Sequence, residues 1–249
     1  MPKKICIAPG HGGFDPGCVG NGMMEKNITL AIGLALNKLL NDAEIPTVMT
    51  RTGDYAAGHA TNVQADLDNE CTIANNDQAD LFVCVHVNCC GGHGSEVFIY
   101  SENGGAKEIA SELVDQVGSL MGLREPAVKV DPGLWVLAHT NMPALLIEVG
   151  FIDNATDAEL MRTHVESIAE LMAKPLIDWA NGKTTTTSTA PTSPVEHTTT
   201  INETAPGTPA ASPAEHMPSI PAAEHGTVTI NKSKLADILQ QLIDLVSGK

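Results

Sequence analysis

The chain has 249 residues, of which 14 are Lys or Arg and 30 are Asp or Glu, so its formal net charge is -16. This balance argues against a nucleic-acid-binding protein, which would carry a basic patch, and no apolar run approaches the roughly 18–20 residues that cross a bilayer. Hydrophobic residues make up 43% of the chain but aromatic residues only 3%, so we expect a core of Leu, Ile, Val and Ala.

Residues 1–183 are predicted to form one folded domain, because they contain all the Cys and aromatic residues of the chain and a length of about 180 residues suits a single core. Short apolar runs alternate here with stretches whose apolar residues recur at helical spacing. Strands are predicted at 5–8, 47–50, 81–85, 96–100 and 144–147, and helices at 26–41, 62–76, 106–121 and 163–180. Buried strands separated by helices predict an α/β fold with a mainly parallel central sheet flanked by helices.

Residues 184–226 consist largely of Thr, Pro, Ala and Ser and contain no Lys, Arg or aromatic residue. Such a segment cannot bury enough apolar surface to offset its ordering entropy, so it is predicted to be a disordered linker. Three Glu-His pairs recur in it, at 196–197, 215–216 and 224–225. Low-complexity drift explains them best, and a weak metal-binding His tract is the alternative.

The last segment, 227–249, is predicted to contain a short amphipathic helix. Its apolar residues fall on a heptad seam formed by Leu235, Ile238, Leu242 and Leu245. Two heptads are too short for a stable isolated helix, so we expect this tail to form a homo-oligomer through the seam, to dock on a binding partner, as in wall targeting, or to be the stub of a larger module.

Residues that can bind a metal or transfer a proton follow three of the predicted strands. His11 lies in a glycine-rich loop after the first strand, and the apolar runs 81–85 and 144–147 end on His86 and Glu148. Ligands gather at the carboxyl ends of strands in open α/β sheets, so these side chains are candidates to converge. Glu25 joins them at the start of the first long helix. Two His and one Glu would make an open hydrolytic zinc site, and the remaining Glu would serve as general acid or base.

Each of these residues also has a purely structural interpretation. His11 fits a turn position, Glu25 fits a helix start favoured by the helix dipole, and His86 fits a core histidine with satisfied hydrogen bonds. Glu148 is the hardest to explain this way, because a part-buried carboxylate needs a partner. The spacing alone decides little, since no local motif such as HExxH is present.

Four segments, in order, resemble the zinc-dependent N-acetylmuramoyl-L-alanine amidases of the amidase 3 type. They are residues 7–17 (IAPGHGGFDPG), Glu25 at the helix start, residues 79–88 (ADLFVCVHVN) and residues 143–154 (PALLIEVGFIDN). The resemblance spans about residues 4–180. It implies an enzyme that cleaves peptidoglycan at the amide between the lactyl group of N-acetylmuramic acid and the L-alanine of the stem peptide.

The resemblance also implies roles for individual residues. His11, Glu25 and His86 match the zinc ligands of the family, so one Zn²⁺ is expected per catalytic domain, and Glu148 matches its catalytic glutamate. In those roles Glu148 would take a proton from the attacking water and pass it to the leaving amine.

Three further residues near these motifs have predicted roles. Asn88, two positions beyond His86, is a candidate to bind the stem peptide, with a loop-capping role as the alternative. Arg51 is expected to form a surface ion pair with Asp54, and Asp15 is expected to stabilise the glycine-rich loop.

The cysteines depart from the family pattern. Cys84 and Val87 stand where family members often have Ser and Ala, and Cys89-Cys90 after Asn88 is unusual. A thiolate zinc ligand from this pair is a weaker alternative, because thiolates tend to complete the zinc shell and exclude the reactive water. Six Cys in a chain without a recognisable signal peptide predict synthesis in a reducing compartment.

The first ten residues lack the long apolar region and cleavage site of a signal peptide. We therefore expect synthesis in the cytoplasm and action on the cell wall after release, as a phage endolysin. A host sporulation or autolysis enzyme is the alternative within the same reaction. A zinc peptidase or deacetylase of similar fold and a non-catalytic wall-binding protein are the other rivals.

Overall fold

The computed structural model describes residues 1–183, so the predicted linker at 184–226 and the predicted tail at 227–249 lie outside the described residues. Eight strands are present in this part of the chain, two of which form a separate short hairpin. In chain order they are β1 Ile5–Pro9, β2 Val19–Gly20, β3 Met23–Met24, β4 Thr47–Met49, β5 Leu81–Asn88, β6 Ser95–Ile99, β7 Leu123–Val130 and β8 Ala144–Phe151.

The central sheet has six strands in the order β4-β1-β5-β8-β6-β7. β1 pairs in parallel with β4 and β5, and β5 pairs in parallel with β8. β6 runs antiparallel to β8 and parallel to β7 at the edge. The predicted α/β fold with a mainly parallel sheet is therefore confirmed.

Six α-helices accompany the strands, and the four predicted long helices are among them. They are α1 Glu25–Asp42, α2 Val63–Asn76, α3 Lys107–Met121, α4 Trp135–Ala138, α5 Ala155–Thr163 and α6 Val165–Ala180. Asn62 caps α2 by accepting a hydrogen bond from the amide of Ala65 at 2.9 Å, which is the usual role of Asn at this position. None of the helices between residues 1 and 183 has the length and apolar composition needed to span a membrane.

The core lies on both faces of the sheet, as expected for a parallel sheet covered by helices. Side chains alternate along β1: Ile5 and Ile7 pack in the cluster that includes α1, α3 and α6, whereas Cys6 and Ala8 pack in the cluster on the other face with residues of α2 and α4. The first cluster is aliphatic apart from three Met, as the low aromatic content predicts, whereas the second also contains three Cys and Phe82.

Besides the short elements β2, β3, α4 and α5, which were not predicted, two features differ from the sequence prediction. β5 and β8 do not end at His86 and Glu148 but continue to Asn88 and Phe151, so both residues lie inside strands, near the carboxyl ends. The edge strand β7 was not predicted, because its sequence LREPAVKV contains Pro and three charged residues and most of it is only partly buried. An edge strand tolerates Pro and charge, since one side of it pairs with no neighbour.

Candidate active site

His11, Glu25 and His86 come from three separate elements and meet at one edge of the sheet. His11 follows β1, Glu25 is the first residue of α1, and His86 lies in β5. One ligand-type atom from each of them lies within 4.8 Å of the other two. The Glu25 carboxylate bridges the two rings, with Oε2 3.1 Å from His11 Nε2 and Oε1 3.0 Å from His86 Nδ1.

The backbone around this group is shaped to admit the side chains. Gly17 has a φ of +64°, and a Cβ there would lie 2.6 Å from both Glu25 Oε2 and His11 Cδ2. A side chain at this position would therefore displace two members of the group. Glycine is required at position 17 both because these side chains approach it closely and because its backbone is left-handed.

Glu25 is buried as a carboxylate. The residue is only 2% exposed, and the amides of Cys18 and Val87 each donate a hydrogen bond to its oxygens at 2.8 Å. Burial by itself raises the pKa of Glu25, but hydrogen bonds with His11 and His86 outweigh burial and hold the pKa well below its usual range. A negative charge is thus stabilised between two imidazoles.

Asp15 orients the first imidazole. Its Oδ2 lies 2.7 Å from His11 Nδ1, and its Oδ1 accepts a hydrogen bond from the amide of Gly17 at 3.0 Å. The prediction that Asp15 stabilises the loop is confirmed, and the contact also turns Nε2 of His11 towards Glu25. Burial lowers the pKa of His11, but hydrogen bonds with Glu25 and Asp15 overcome this and raise it to about 9.

Glu148 lies next to this group without belonging to it. Its Cα is the register partner of His86 on β5, so both side chains project from the same face of the sheet. Oε2 of Glu148 is buried and has no hydrogen-bond partner among the described residues. Burial raises the pKa of Glu148 to about 7. Its carboxyl group is therefore able to accept or donate a proton near neutral pH.

Comparison with known proteins identifies the family of the chain. The sequence model of the Amidase_3 family, described as N-acetylmuramoyl-L-alanine amidase, matches residues 5–178. The chain belongs to this amidase family. The match covers β1 through most of α6, so it includes every element that contributes to the site.

Relatives of the amidase come from both bacteria and phage. It is 38% identical over 194 residues to a sporulation-specific N-acetylmuramoyl-L-alanine amidase of Bacillus subtilis, covering 74% of this chain and 71% of the relative. It is 32% identical over 190 residues to an endolysin of Bacillus phage SPP1, covering 69% and 67%. A solved N-acetylmuramoyl-L-alanine amidase from Clostridium difficile 630 matches with a TM-score of 0.63 at 28% identity, covering 74% of this chain and 99% of that one.

Arg51 of the amidase does not form the predicted surface ion pair with Asp54. Arg51 is 2% exposed, and its guanidinium donates hydrogen bonds to the carbonyl oxygens of Pro9 at 2.9 Å and Gly10 at 3.0 Å. Asp54 instead pairs with Lys26 at 2.9 Å. The prediction was wrong because carbonyl acceptors leave no signal in a sequence, whereas a nearby acid does.

Asn88 lies beside a second buried acid. Its side-chain amide donates a hydrogen bond to Oε1 of Glu96 at 2.8 Å, and its carbonyl oxygen accepts one from the amide of Cys89 at 2.7 Å. Glu96 is 2% exposed and is the register partner of Glu148 on the other side from His86. Sequence analysis missed Glu96, although an acid at the start of a predicted strand is a detectable signal.

A third buried acid, Glu70, was also missed. It is 3% exposed, and burial raises its pKa to about 7. Helical periodicity could have predicted its burial, because Asp66, Glu70 and Ala74 recur at intervals of four on the buried face of α2.

Cys18 and Cys89 form a disulfide with a sequence separation of 71, which differs from the expectation of a reducing compartment, where thiols stay free. Cys18 follows the glycine-rich loop and Cys89 follows β5, so the bond joins the segments that carry His11 and His86. Cys89 is therefore not the free thiolate that the alternative zinc shell requires. The neighbouring Cys90 is a free, exposed cysteine.

Proposed function

We propose that the chain hydrolyses the amide between the lactyl group of N-acetylmuramic acid and L-alanine in peptidoglycan, using one zinc ion held by His11, Glu25 and His86. One observation carries the proposal. The ligand atoms of these three residues lie within 4.8 Å of one another, next to the strand position whose Glu148 oxygen is buried without a partner.

The donor set suits zinc. Two imidazole nitrogens and one carboxylate oxygen are the ligands of many catalytic zinc sites, which keep a fourth position for water or substrate. The Glu25 carboxylate lies between the two imidazoles, with one oxygen 3.1 Å from His11 Nε2 and the other 3.0 Å from His86 Nδ1, so these three residues are the ones that would hold the ion. Because Glu25 carries a negative charge, the space between it and the two imidazoles favours a bound cation.

The residues of the chain divide the chemistry between them. Zinc, when bound, supplies Lewis-acid chemistry, polarising a carbonyl and lowering the pKa of water. Glu148 accepts the proton of the attacking water and transfers it to the nitrogen of the leaving L-alanine. A pKa near 7 suits both steps, because the group must lose and regain a proton at the same pH.

The biological setting is part of the proposal. We propose that the catalytic domain at 1–183 is followed by the linker at 184–226 and the tail at 227–249, and that the protein acts on the wall after release, as an endolysin. The alternative of a sporulation or autolysis enzyme has the same chemistry. Relatives of both kinds support a wall-acting amidase.

Digestion of purified peptidoglycan by the full chain tests the reaction. New free L-alanine amino termini, detected by mass spectrometry, are the expected result, and chelation should abolish them. Acetate release would indicate a deacetylase, cleavage within the stem would indicate a peptidase, and binding without any product would indicate a wall-binding protein.

A lysis assay on several bacterial walls tests the setting. Full-length protein is compared with a chain ending at residue 183, and light scattering of both gives the particle mass. Selective lysis that depends on 184–249 would support wall targeting by the tail. If the particle mass of each sample equals the mass of one protomer, oligomerisation through Leu235, Ile238, Leu242 and Leu245 is excluded.

A further inference from the structure

We propose that Arg124, assisted by Lys129, binds a free carboxylate of the stem peptide on the leaving-amine side of Glu148. This inference rests on the proposed function, since it concerns how the same substrate is selected. It adds a specificity-determining residue that lies outside the metal-binding group and its general base.

Two cations converge on one buried acid. Oε2 of Glu96 lies 3.3 Å from Nε of Arg124 and also contacts Nζ of Lys129. Within residues 1–183, Glu96 is the only acid that forms an ion pair with either cation. Two cations on one acid stand out in a chain whose formal net charge is -16.

The guanidinium of Arg124 is held in place with its outer nitrogens free. Its Cζ lies 4.9 Å from the centroid of the Phe151 ring, so the plane rests on an aromatic face while Nε points to Glu96. Within residues 1–183, its two terminal nitrogens donate no hydrogen bond to another residue, and the side chain is 39% exposed. A guanidinium fixed in this way presents the paired donors that bind a carboxylate in bidentate fashion.

The loop after β5 leaves room for this arrangement. A Cβ at Gly92 would lie within 2.5 Å of the Phe151 ring and would also collide with Arg124. Only glycine therefore permits the guanidinium to lie on Phe151. Gly92 follows the strand that carries His86, which places Arg124 at the same edge of the sheet as the candidate active site.

The order of the strands places β7 beyond Glu96 as seen from Glu148. His86, Glu148 and Glu96 are successive register partners across β5, β8 and β6, and β7 with its two cations is the next strand. The subsite requires the stem peptide to continue from the leaving amine, next to Glu148, towards β6 and β7. β7 lies about two strand spacings, or roughly 10 Å, from β8. The side chains of Arg124 and Lys129 reach from β7 to Glu96 on β6, which shortens the distance to Glu148.

This distance suits the first free carboxylate of the stem. An extended peptide advances about 3.3 Å per residue, so the second stem residue, which carries that carboxylate, lies within reach of the guanidinium. Stems in which this group is amidated lack the negative charge. The subsite therefore distinguishes the acid form from the amide form.

The test uses two muramoyl peptides that differ only in a carboxylate or a carboxamide at the second stem residue. A charge-assisted bidentate contact corresponds to roughly 10- to 100-fold in kcat/KM, so wild-type full-length protein should favour the carboxylate by that ratio.

Arg124→Gln should bring the ratio close to one, and Arg124→Lys should restore part of it. Arg162→Gln, which removes an exposed cation on α5 that pairs with Glu159, should keep the wild-type ratio.

The outcomes separate the inference from the function on which it rests. A wild-type ratio near one, or an Arg124→Gln variant that loses both activities equally, would show that Arg124 is structural and overturn the subsite while leaving the amidase reaction intact. Wild-type protein that cleaves neither peptide at the lactyl amide would overturn the proposed function, and the subsite with it.

Discussion

Glu148 and His86 are register partners on the adjacent parallel strands β8 and β5. Their side chains project from the same face of the sheet, yet the three-residue group that contains His86 takes no atom from Glu148. The proposed metal ligands and the proposed general base are thus adjacent but separate. A substitution of Glu148 should therefore affect proton transfer without lowering the metal content.

Glu148→Gln is expected to keep zinc and lose activity. The amide has nearly the shape of the carboxyl group but cannot take a proton from water, so kcat should fall about 100- to 10,000-fold, the usual contribution of a general base. Zinc content by elemental analysis and hydrolysis of peptidoglycan are measured on the same sample. Wild-type turnover would remove Glu148 from the mechanism, and a parallel loss of zinc would make it a ligand.

Zinc binding to the metal-free protein is expected to release protons. The pKa of His11 is raised to about 9, and the pKa of His86 is raised too, because Glu25 hydrogen-bonds to both rings. Metal ligation requires neutral imidazole, so binding at pH 7 should release about one to two protons and strengthen as the pH rises towards 9. Calorimetric titration in two buffers of different ionisation enthalpy counts the protons.

Asp15→Asn is the matched variant for this measurement. Its hydrogen bond to His11 is one of the contacts that raise the pKa of that imidazole, so the variant should release fewer protons and show a weaker dependence of zinc affinity on pH. Identical binding heats in both buffers for the wild-type chain would contradict the raised pKa of His11.

Glu70→Gln is expected to stabilise the metal-free fold above neutral pH. Burial raises the pKa of Glu70 from 4.5 to about 7, so between these values the folded state binds more protons than the unfolded state, and stability falls as the pH rises. At pH 8 the variant avoids a buried charge, which should raise the free energy of unfolding by roughly 2–3 kcal/mol.

Urea unfolding at pH 5 and pH 8, in the presence of chelator, measures this difference. Glu108→Gln is the control, because Glu108 is exposed on α3 and a surface change of this kind usually stays within about 0.5 kcal/mol. A gain in Glu70→Gln that is equal at both pH values would indicate improved packing rather than a removed charge.

Local sequence patterns predicted five of the six strands of the central sheet and brought the candidate site residues to its edge. Apolar runs followed by His86 or Glu148 mark the strands that enter the site, and the parallel order of those strands brings their carboxyl ends together. Helical periodicity placed Glu25 within one residue of the predicted start of α1. The resemblance to a known family then connected residues that no local spacing connects.

Long-range partners were not predictable in this way. Arg51 bonds to carbonyl oxygens up to 42 positions away, and backbone acceptors are the same in every sequence. Pairing of Cys18 with Cys89 depends on how the glycine-rich loop meets the end of β5, which follows only from the folded sheet. Edge strand β7 has no alternation of buried and exposed residues, so its role next to Glu96 was missed.

Loss of the Cys18–Cys89 disulfide is expected to weaken both the fold and metal retention. The bond closes a loop with a sequence separation of 71, for which the chain-entropy model gives a stabilisation of about 4 kcal/mol. It also holds together the segments that carry His11 and His86, so Cys18→Ser should lower the thermal midpoint and speed zinc loss to a chelator.

Cys90→Ser, which removes the exposed free thiol, is the matched control and should behave like the wild type. Equal zinc-loss rates in Cys18→Ser and Cys90→Ser would show that the disulfide does not support the metal-binding group.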